Sequence, residues 1–179
     1  LIIDALRPLI RSADAVADYQ QRNRDRFGLW DPERPSAFFT AEFWRDQLRE
    51  DARAIADDRR YRLFVSELSD PARVIGHAHF ANVVRGAFHA CHLGFGIDSA
   101  SEGRGLMSEA LRAAIAHMFE TRGLHRIEAN HRPENIRSSA ILRRLGFAPQ
   151  GYARDYLLID GVWRDHVLTA LTNERWSAR

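Results

Sequence analysis

The chain has 179 residues, of which 45% are hydrophobic and 28% are charged, and its formal net charge is +2. This size and composition predict one globular domain over residues 1–179, and the near balance of charge argues against direct binding to nucleic acid. The single cysteine, Cys91, excludes an internal disulfide and suits a reducing compartment. We expect neither a signal peptide nor a membrane span, and therefore a cytoplasmic protein.

The first third of the sequence predicts two helices that precede most of the strands. An apolar run at 6–10 predicts an edge strand, and the helix that follows it is expected to run to about Arg26. Thr40 is placed to cap a second helix. The apolar side of that helix is expected to carry Phe43, Leu48, Ala52 and Ile55. The loop around Trp30, between the two helices, is expected either to wall a pocket or to pack as a buried loop.

The rest of the chain predicts strands joined by turns, with two helices between them. Apolar and β-branched runs between turn residues indicate strands at 61–68, 74–84, 91–97, 125–130, 147–159 and 162–172. The last two are joined by Asp160-Gly161, a strong hairpin signal. Helices are expected after 105 and over 135–145. This order predicts an α+β fold, a mixed and mostly antiparallel sheet of about seven strands with flanking helices and one crossover near its middle.

The stretch 89–119 reads as a strand, a glycine turn and a helix. Gly94 and Gly96 interrupt the strand, which is typical of a bulge or of close approach to the backbone. The turn Glu102-Gly103-Arg104-Gly105 leaves the first N–H groups of the next helix bare, and such groups bind phosphate. The stretch is neither a P-loop nor a full dinucleotide fingerprint, which fails at Ser108. A plain helix start after a flexible turn is the alternative.

Three short motifs and three longer stretches carry a resemblance to a known family. The motifs are Gly103-Arg104-Gly105, Asn135-x-x-Ser138 and Leu145-Gly146-Phe147, and the stretches are 80–97, 125–147 and 151–171. The chain resembles the GNAT superfamily of N-acetyltransferases, and within it the RimJ/RimL type of ribosomal-protein-alanine N-acetyltransferases, closest to the RimJ members. The resemblance implies a sheet with a splayed central cleft. It also implies direct acetyl transfer from acetyl-CoA to the α-amino group of a protein N-terminus, with a ribosomal protein beginning with Ala or Ser as acceptor.

The resemblance also implies which residues hold the cofactor. The backbone of Phe95, Gly96 and Ile97 would pair with the pantetheine arm, and Asn135 would contact the same arm. The main-chain amides that would hold the pyrophosphate are those of Gly103, Arg104, Gly105, Leu106 and Met107. Ala100 departs from the family, which has Gln or Arg there, so one side-chain contact is lost while the amides remain. The Arg104 side chain is expected either to add a phosphate contact or to be simply exposed.

The chemistry requires a group that takes a proton from the attacking amine. An α-amino group titrates at ~7.7–8.0 and a lysine at ~10.4, so an N-terminal acceptor needs only a mild base or a water chain. Glu128 is the first candidate for that base, and alternation along its strand places it on the same face as Arg126. A salt bridge between Glu128 and a neighbouring Arg is the alternative. His79 is the second candidate, although a lone strand histidine is more often structural.

A second group must return a proton to the departing thiolate. The tyrosine that many members of the superfamily use is replaced by Leu142 here. The resemblance to RimL-type enzymes favours Ser138 for this role, with Ser139 as a weaker choice, and a local hydrogen bond in the helix is the alternative for Ser138. Cys91 lacks partners for a nucleophilic role. The histidine spacings predict no metal site.

Two other functions remain open on the sequence. One is acetylation of a small-molecule amine by the same fold. The other is binding of CoA or of the ribosome without catalysis, which the missing tyrosine and Ala100 would favour.

Overall fold

The structure is a computed structural model that describes residues 2–4 and 13–177. Within these ranges the α-helices are α1 (Ala13–Arg22), α2 (Arg24–Gly28), α3 (Ala41–Ala56), α4 (Leu106–Ala116) and α5 (Ile136–Arg144). A π-helical turn, His117–Thr121, extends α4. The predicted edge strand at 6–10 lies outside the described residues.

One sheet contains all the described strands. They are β1 (Ile2–Asp4), β2 (Tyr61–Ser66), β3 (Gly76–Val84), β4 (Ala90–Ile97), β5 (Arg126–Glu128), β6 (Ala148–Ile159) and β7 (Val162–Thr172). Their order across the 7-stranded sheet is β1-β2-β3-β4-β5-β7-β6. Only β4 and β5 pair in parallel. They do so because α4, which connects them, returns the chain to the end of the sheet at which β4 begins. The predicted α+β fold with one crossover is therefore confirmed.

The parallel ladder between β4 and β5 is short, and its end creates the cleft. It pairs Ala90 with Arg126, Cys91 with Ile127 and His92 with Glu128, and goes no further. Beyond this point the chain after β5 stays with β7, since Ala129 N–H donates to the Thr169 carbonyl at 3.0 Å. The second half of β4 therefore separates from β5 and presents a free edge.

The two faces of the sheet are covered by different helices. On one face α4 and α5 pack over a core that contains Cys91, Leu111, Met118 and Ile127. On the other face α1 and α3 form a smaller core with Tyr19, Val16, Trp44, Leu48 and Val74. On β4 itself, burial of Cys91 and Leu93 in the larger core fixes the direction of the strand, so one side of the cleft is held rigidly.

Several predicted helix boundaries differ from the structure. The first helix ends at Arg22, and α2 begins at Arg24 after a break at Asn23. The capping prediction for α3 is confirmed, because the Thr40 hydroxyl accepts a hydrogen bond from Phe43 N–H at 3.3 Å. The buried side of α3 is rotated relative to the prediction, with Trp44, Leu48, Asp51 and Ala54 buried. Asp51 is tolerated there because Arg60 and Arg62 pair with it at 3.0 and 3.6 Å.

The predicted order of the strands is confirmed, and so are the bounds of the last strand, 162–172, whereas three other strands are at least two residues shorter than predicted. The strand predicted at 61–68 ends at Ser66, where Glu67 and Asp70 form a bridge across a turn. The strand predicted at 125–130 is limited to Arg126–Glu128. The final hairpin is confirmed, since Asp160 and Gly161 have φ angles of 51° and 68°, as the two-residue turn requires.

Candidate active site

A cleft of about 850 Å³ opens where β4 leaves β5. The end of β4 and the head of α4 form its floor, and α5 and the loop after α2 form its walls. Its lining includes Phe27, Trp30, Asp31, His77, Phe95, Gly96, Ile97, Gly103, Gly105, Leu106, Met107, Asn135 and Ser138. The prediction that the loop around Trp30 walls a pocket is confirmed. Phe27, Asp31 and His77 were not predicted, because they meet only in the folded chain.

The head of α4 offers a row of free main-chain donors. The first hydrogen bond of α4 that closes onto the preceding turn runs from Glu109 N–H to the Gly105 carbonyl at 3.1 Å. The N–H groups of 103–107 donate to no acceptor among the described residues. Gly103 and Gly105 have φ angles of 73° and 77°, which L side chains rarely adopt. Free amides at the positive end of a helix form a binding site for an anion.

Paired side chains form the rim of this site. Glu102 accepts from Arg26 and, at 2.9 Å, from Arg137, while Arg26 also donates to the Ile97 carbonyl. The Arg104 side chain donates to both oxygens of Glu67 at 2.7 Å each, so its guanidinium belongs to that pair rather than to the cleft. The main chain of Arg104 remains in the row of free donors.

Gly96 allows the wall of the cleft to close against β4. A Cβ atom at this position would lie 2.8 Å from Cε1 of His77 and 3.2 Å from Cζ of Phe27. Such distances are too short for a side chain, so glycine permits a tight contact between α2, β3 and β4. At Gly94 a Cβ would meet no described atom within 4 Å, so this part of the same face is open.

Asn135 and Ser138 form the first turn of α5 at the edge of the cleft. Asn135 Oδ1 caps the helix by accepting from Ser138 N–H at 3.1 Å. The Ser138 hydroxyl has no hydrogen-bond partner among residues 2–4 and 13–177, so the predicted alternative of a local hydrogen bond is not what the structure has. Ser138 lines the cleft and Ser139 does not. Leu142, at the position of the missing tyrosine, is 1% exposed and lies in the core.

Glu128 lies at the end of the β4–β5 ladder and outside the lining of the cleft. Its Oε1 accepts from Arg126 Nε at 2.8 Å, and its Oε2 lies 3.3 Å from His92 Nε2. The salt bridge foreseen as the alternative is therefore present, and its partner is Arg126. The His92 ring also has Nδ1 buried without a partner among the described residues.

The histidines of β3 lie next to these groups on the same face of the sheet. Burial, and after it the charge of Arg62, lowers the pKa of His77 and of His79 to about 3. Both rings are therefore neutral near pH 7. His77 Nδ1 shares a hydrogen bond of 2.9 Å with the Tyr19 hydroxyl, whereas buried His79 Nε2 has no partner in the described part of the chain.

The described ranges contain neither a metal-binding cluster nor a membrane-spanning helix. No group of three or more His, Cys, Asp or Glu is arranged there to hold a metal ion. None of the described helices has both the length and the apolar character to cross a bilayer.

Comparison with known proteins identifies the family. A family model described as an acetyltransferase (GNAT) domain matches residues 5–148. The ribosomal protein uS5-alanine N-acetyltransferase of Escherichia coli K12 is 47% identical over 169 residues, which cover 93% of this chain and 86% of that protein.

Solved structures agree with this match. The ribosomal-protein-S5-alanine acetyltransferase of Vibrio fischeri superimposes with a TM-score of 0.93 at 34% identity, covering 98% of this chain and 94% of that one. Mycobacterium smegmatis RimJ, solved in complex with CoA-disulfide, gives 0.87 at 28% identity and covers 98% and 83%. The chain therefore belongs to the GNAT family of acetyltransferases.

Proposed function

We propose that this N-acetyltransferase moves the acetyl group of acetyl-CoA to the α-amino group of a protein N-terminus, with a ribosomal protein beginning with Ala or Ser as its acceptor. The observation that carries the proposal is the row of free N–H groups at 103–107, facing the gap where β4 leaves β5. The relative that shares 47% identity is a ribosomal protein uS5-alanine N-acetyltransferase, which supports the choice of acceptor.

The cleft fits CoA by its chemistry. Free amides and the positive end of α4 suit the pyrophosphate. The free edge of β4 at Phe95 and Gly96 suits an extended pantetheine arm that pairs as a strand does, whereas the Ile97 carbonyl at the end of that edge already accepts from Arg26. Asn135 lines the same cleft, and its amide NH₂ donates to no described residue and would be available for the arm. Bound in this way, acetyl-CoA supplies an activated acyl group as a thioester. A main-chain N–H of β4 would stabilise the charge that develops on the thioester oxygen.

Glu128 is the proposed acceptor of the proton that the amine must lose. It lies at the end of the ladder that opens the cleft. Its Oε2 is 3.3 Å from Nε2 of His92, a residue on the same face of β4 as Gly94. The other oxygen of Glu128 accepts from Arg126 at 2.8 Å, which fixes the orientation of the carboxylate. An α-amine loses its proton more easily than a lysine does. A carboxylate that is paired with an arginine is therefore a strong enough base for this acceptor.

Ser138 is the proposed donor of a proton to the departing sulfur. In the reaction a bond forms between nitrogen and the acetyl carbon while the carbon–sulfur bond breaks, leaving a thiolate. The Ser138 hydroxyl has a free proton at the edge of the cleft, and the cap from Asn135 fixes the turn that carries it. The hydroxyl regains its proton from water.

The proposal is tested by transfer of radiolabelled acetyl groups from acetyl-CoA to peptides beginning with Ala or Ser. We expect label on both peptides and none on the same peptides with a blocked N-terminus. Label on a polyamine or another small amine, with none on any free α-amine, would favour the small-molecule function instead. Binding of acetyl-CoA without transfer to any amine would favour a non-catalytic role.

A further inference from the structure

A carboxylate without a partner lies in the wall of the cleft opposite β4. The turn after α2 is closed by hydrogen bonds from the N–H groups of Trp30 and Asp31 to the Phe27 carbonyl, at 2.9 and 2.8 Å. The half-buried Asp31 side chain lines the cleft, and no hydrogen bond or ion pair reaches it from residues 2–4 or 13–177. Other acids of the cleft are paired, Glu102 with Arg26 and Arg137 and Glu134 with Arg132 at 3.4 Å.

The wall that carries Asp31 contains a group of neutral rings, while Arg132 lies over the neighbouring Trp30 ring at 5.3 Å and Arg26 also lines the cleft. The Phe27 ring contacts Tyr19 and His77, with centroids 5.6 and 6.0 Å apart, and this group closes against Gly96 of β4. The nearby guanidinium of Arg34 lies over the Phe38 ring at 5.0 Å and forms no ion pair with Asp31. Asp31 therefore lies on the wall that meets β4 on the open face of the sheet.

The Asp31 carboxylate has no ion-pair partner among the described residues, and Arg34 acts on it only at longer range. Burial raises the pKa of Asp31, and Arg34 opposes this shift only in part. Burial also raises the pKa of Tyr19; the charge of Asp31 adds to this shift and that of Arg26 opposes it. A partly buried, unpaired carboxylate is unfavourable until a cation arrives, and arrival of a cation favours the ionised form.

Resting on the acetyl transfer to a protein N-terminus proposed above, we propose that Asp31 binds the α-ammonium group of the incoming acceptor. An ion pair between the two holds the N-terminus inside the cleft that Asp31 and the end of β4 line together. The paired ammonium then gives up its proton through water to Glu128, which lies outside the cleft lining, and the neutral amine attacks. Asp31 is thus a residue that determines specificity, since it favours a free N-terminus over a blocked one.

The test compares the binding of two peptides to the protein saturated with CoA. One begins with Ala, and the other begins with a propionyl group, so that they differ only by the α-amine. We expect the wild type to bind the Ala peptide about 10- to 100-fold more tightly, as expected for a hydrogen-bonded charge pair. Asp31→Asn should lose most of this preference. Glu33→Gln, which removes the same charge from an exposed neighbour, should retain it.

The other outcomes separate this inference from the function on which it rests. An Asp31→Asn variant that keeps the preference overturns the assignment of Asp31, even where the wild type transfers acetyl groups normally. A variant that loses affinity for CoA also overturns it, because Asp31 would then belong to the cofactor arm. Asp31→Glu keeps the charge and should restore part of the preference. A wild type that acetylates no α-amine overturns both proposals.

Discussion

Ser138 has a hydroxyl that makes no hydrogen bond within the described part of its own protein and faces the cleft. We expect Ser138→Ala to lower kcat by about 100-fold or more, as loss of a positioned acid does, while the affinity for CoA stays unchanged. Steady-state kinetics and CoA titration measure the two quantities. Ser139→Ala is the matched control, because it removes a neighbouring hydroxyl that does not line the cleft. A Ser138→Ala enzyme with wild-type kcat would exclude the proposed role.

Glu128 allows its chemical role to be separated from its structural one. Glu128→Gln and Arg126→Met both break the ion pair at 2.8 Å, but only the first removes the carboxylate. If Glu128 accepts the proton, Glu128→Gln should lower kcat/KM by roughly 100-fold or more, and Arg126→Met should lower it far less. Thermal unfolding should be affected similarly in both. Equal activities of the two variants would reduce Glu128 to a structural partner of Arg126.

Single residues were predictable from the sequence where a local motif fixes them. Asn135 and Ser138 are three residues apart, and the capping bond between them follows from that spacing. The partner of Arg104 was not predictable, because Glu67 lies 37 residues earlier in the chain. Asp31 belongs to no sequence motif. Its proposed role follows only from its place in the cleft lining together with the end of β4, which the sequence does not reveal.

At the scale of elements, the proposed anion site at the start of α4 can be tested through Gly105. Gly105 caps α4 with φ 77°, and Ala there adds about 1–2 kcal/mol of strain to a main chain that must hold the anion. We expect Gly105→Ala to weaken CoA binding by about tenfold or more in a titration.

A second glycine serves as the control for this prediction. Gly123, just after the π-helical turn that extends α4, has φ 64° and likewise has no described atom within 4 Å of an added Cβ. Gly123→Ala should lower stability by a similar amount and leave CoA binding unchanged, since Gly123 is outside the cleft. Equal losses of CoA affinity in both variants would show that strain alone, and not the amide row, is responsible.

Hydrophobic patterns predicted the type of each element better than its ends. The ends of strands depend on where neighbouring strands stop, as at Ser66 and Glu128. The sequence of a strand therefore does not predict where its pairing ends. The face of α3 was misjudged because the buried Asp51 looks polar in sequence, whereas two arginines from the following segment neutralise it. The cleft itself depends on the short β4–β5 ladder, which periodicity does not reveal.

At the scale of the whole molecule, Cys91 reports on global stability. Its side chain lies in the core, and burial raises the pKa of the thiol to about 12, with Glu128 adding to the shift and Arg85 opposing it. At pH 7–8 the thiol is therefore protonated as well as buried, and thiolate is the reactive form. We expect a thiol reagent to label the protein only through its unfolded state, at a rate set by the unfolded fraction. Rapid labelling of the native protein would contradict this packing.

Ligand binding should slow that labelling further. A ligand present at 100 times its Kd adds about 2.7 kcal/mol to the stability of the folded state, which corresponds to about 100-fold slower labelling when opening is in fast equilibrium. CoA should have this effect on the wild type and a smaller one on Gly105→Ala at the same concentration. An equal effect in both would argue that CoA binds elsewhere.

The choice of acceptor amine provides the most direct test. A peptide with an N-terminal Ala and an internal Lys offers two amines whose pKa values differ by about 2.5 units, roughly 3.4 kcal/mol in the free energy of deprotonation. After incubation with acetyl-CoA at pH 7, fragmentation mass spectrometry locates the added acetyl group. We expect it on the α-nitrogen of Ala alone. An acetyl group on the lysine side chain, or none on the peptide at all, would contradict transfer to a protein N-terminus.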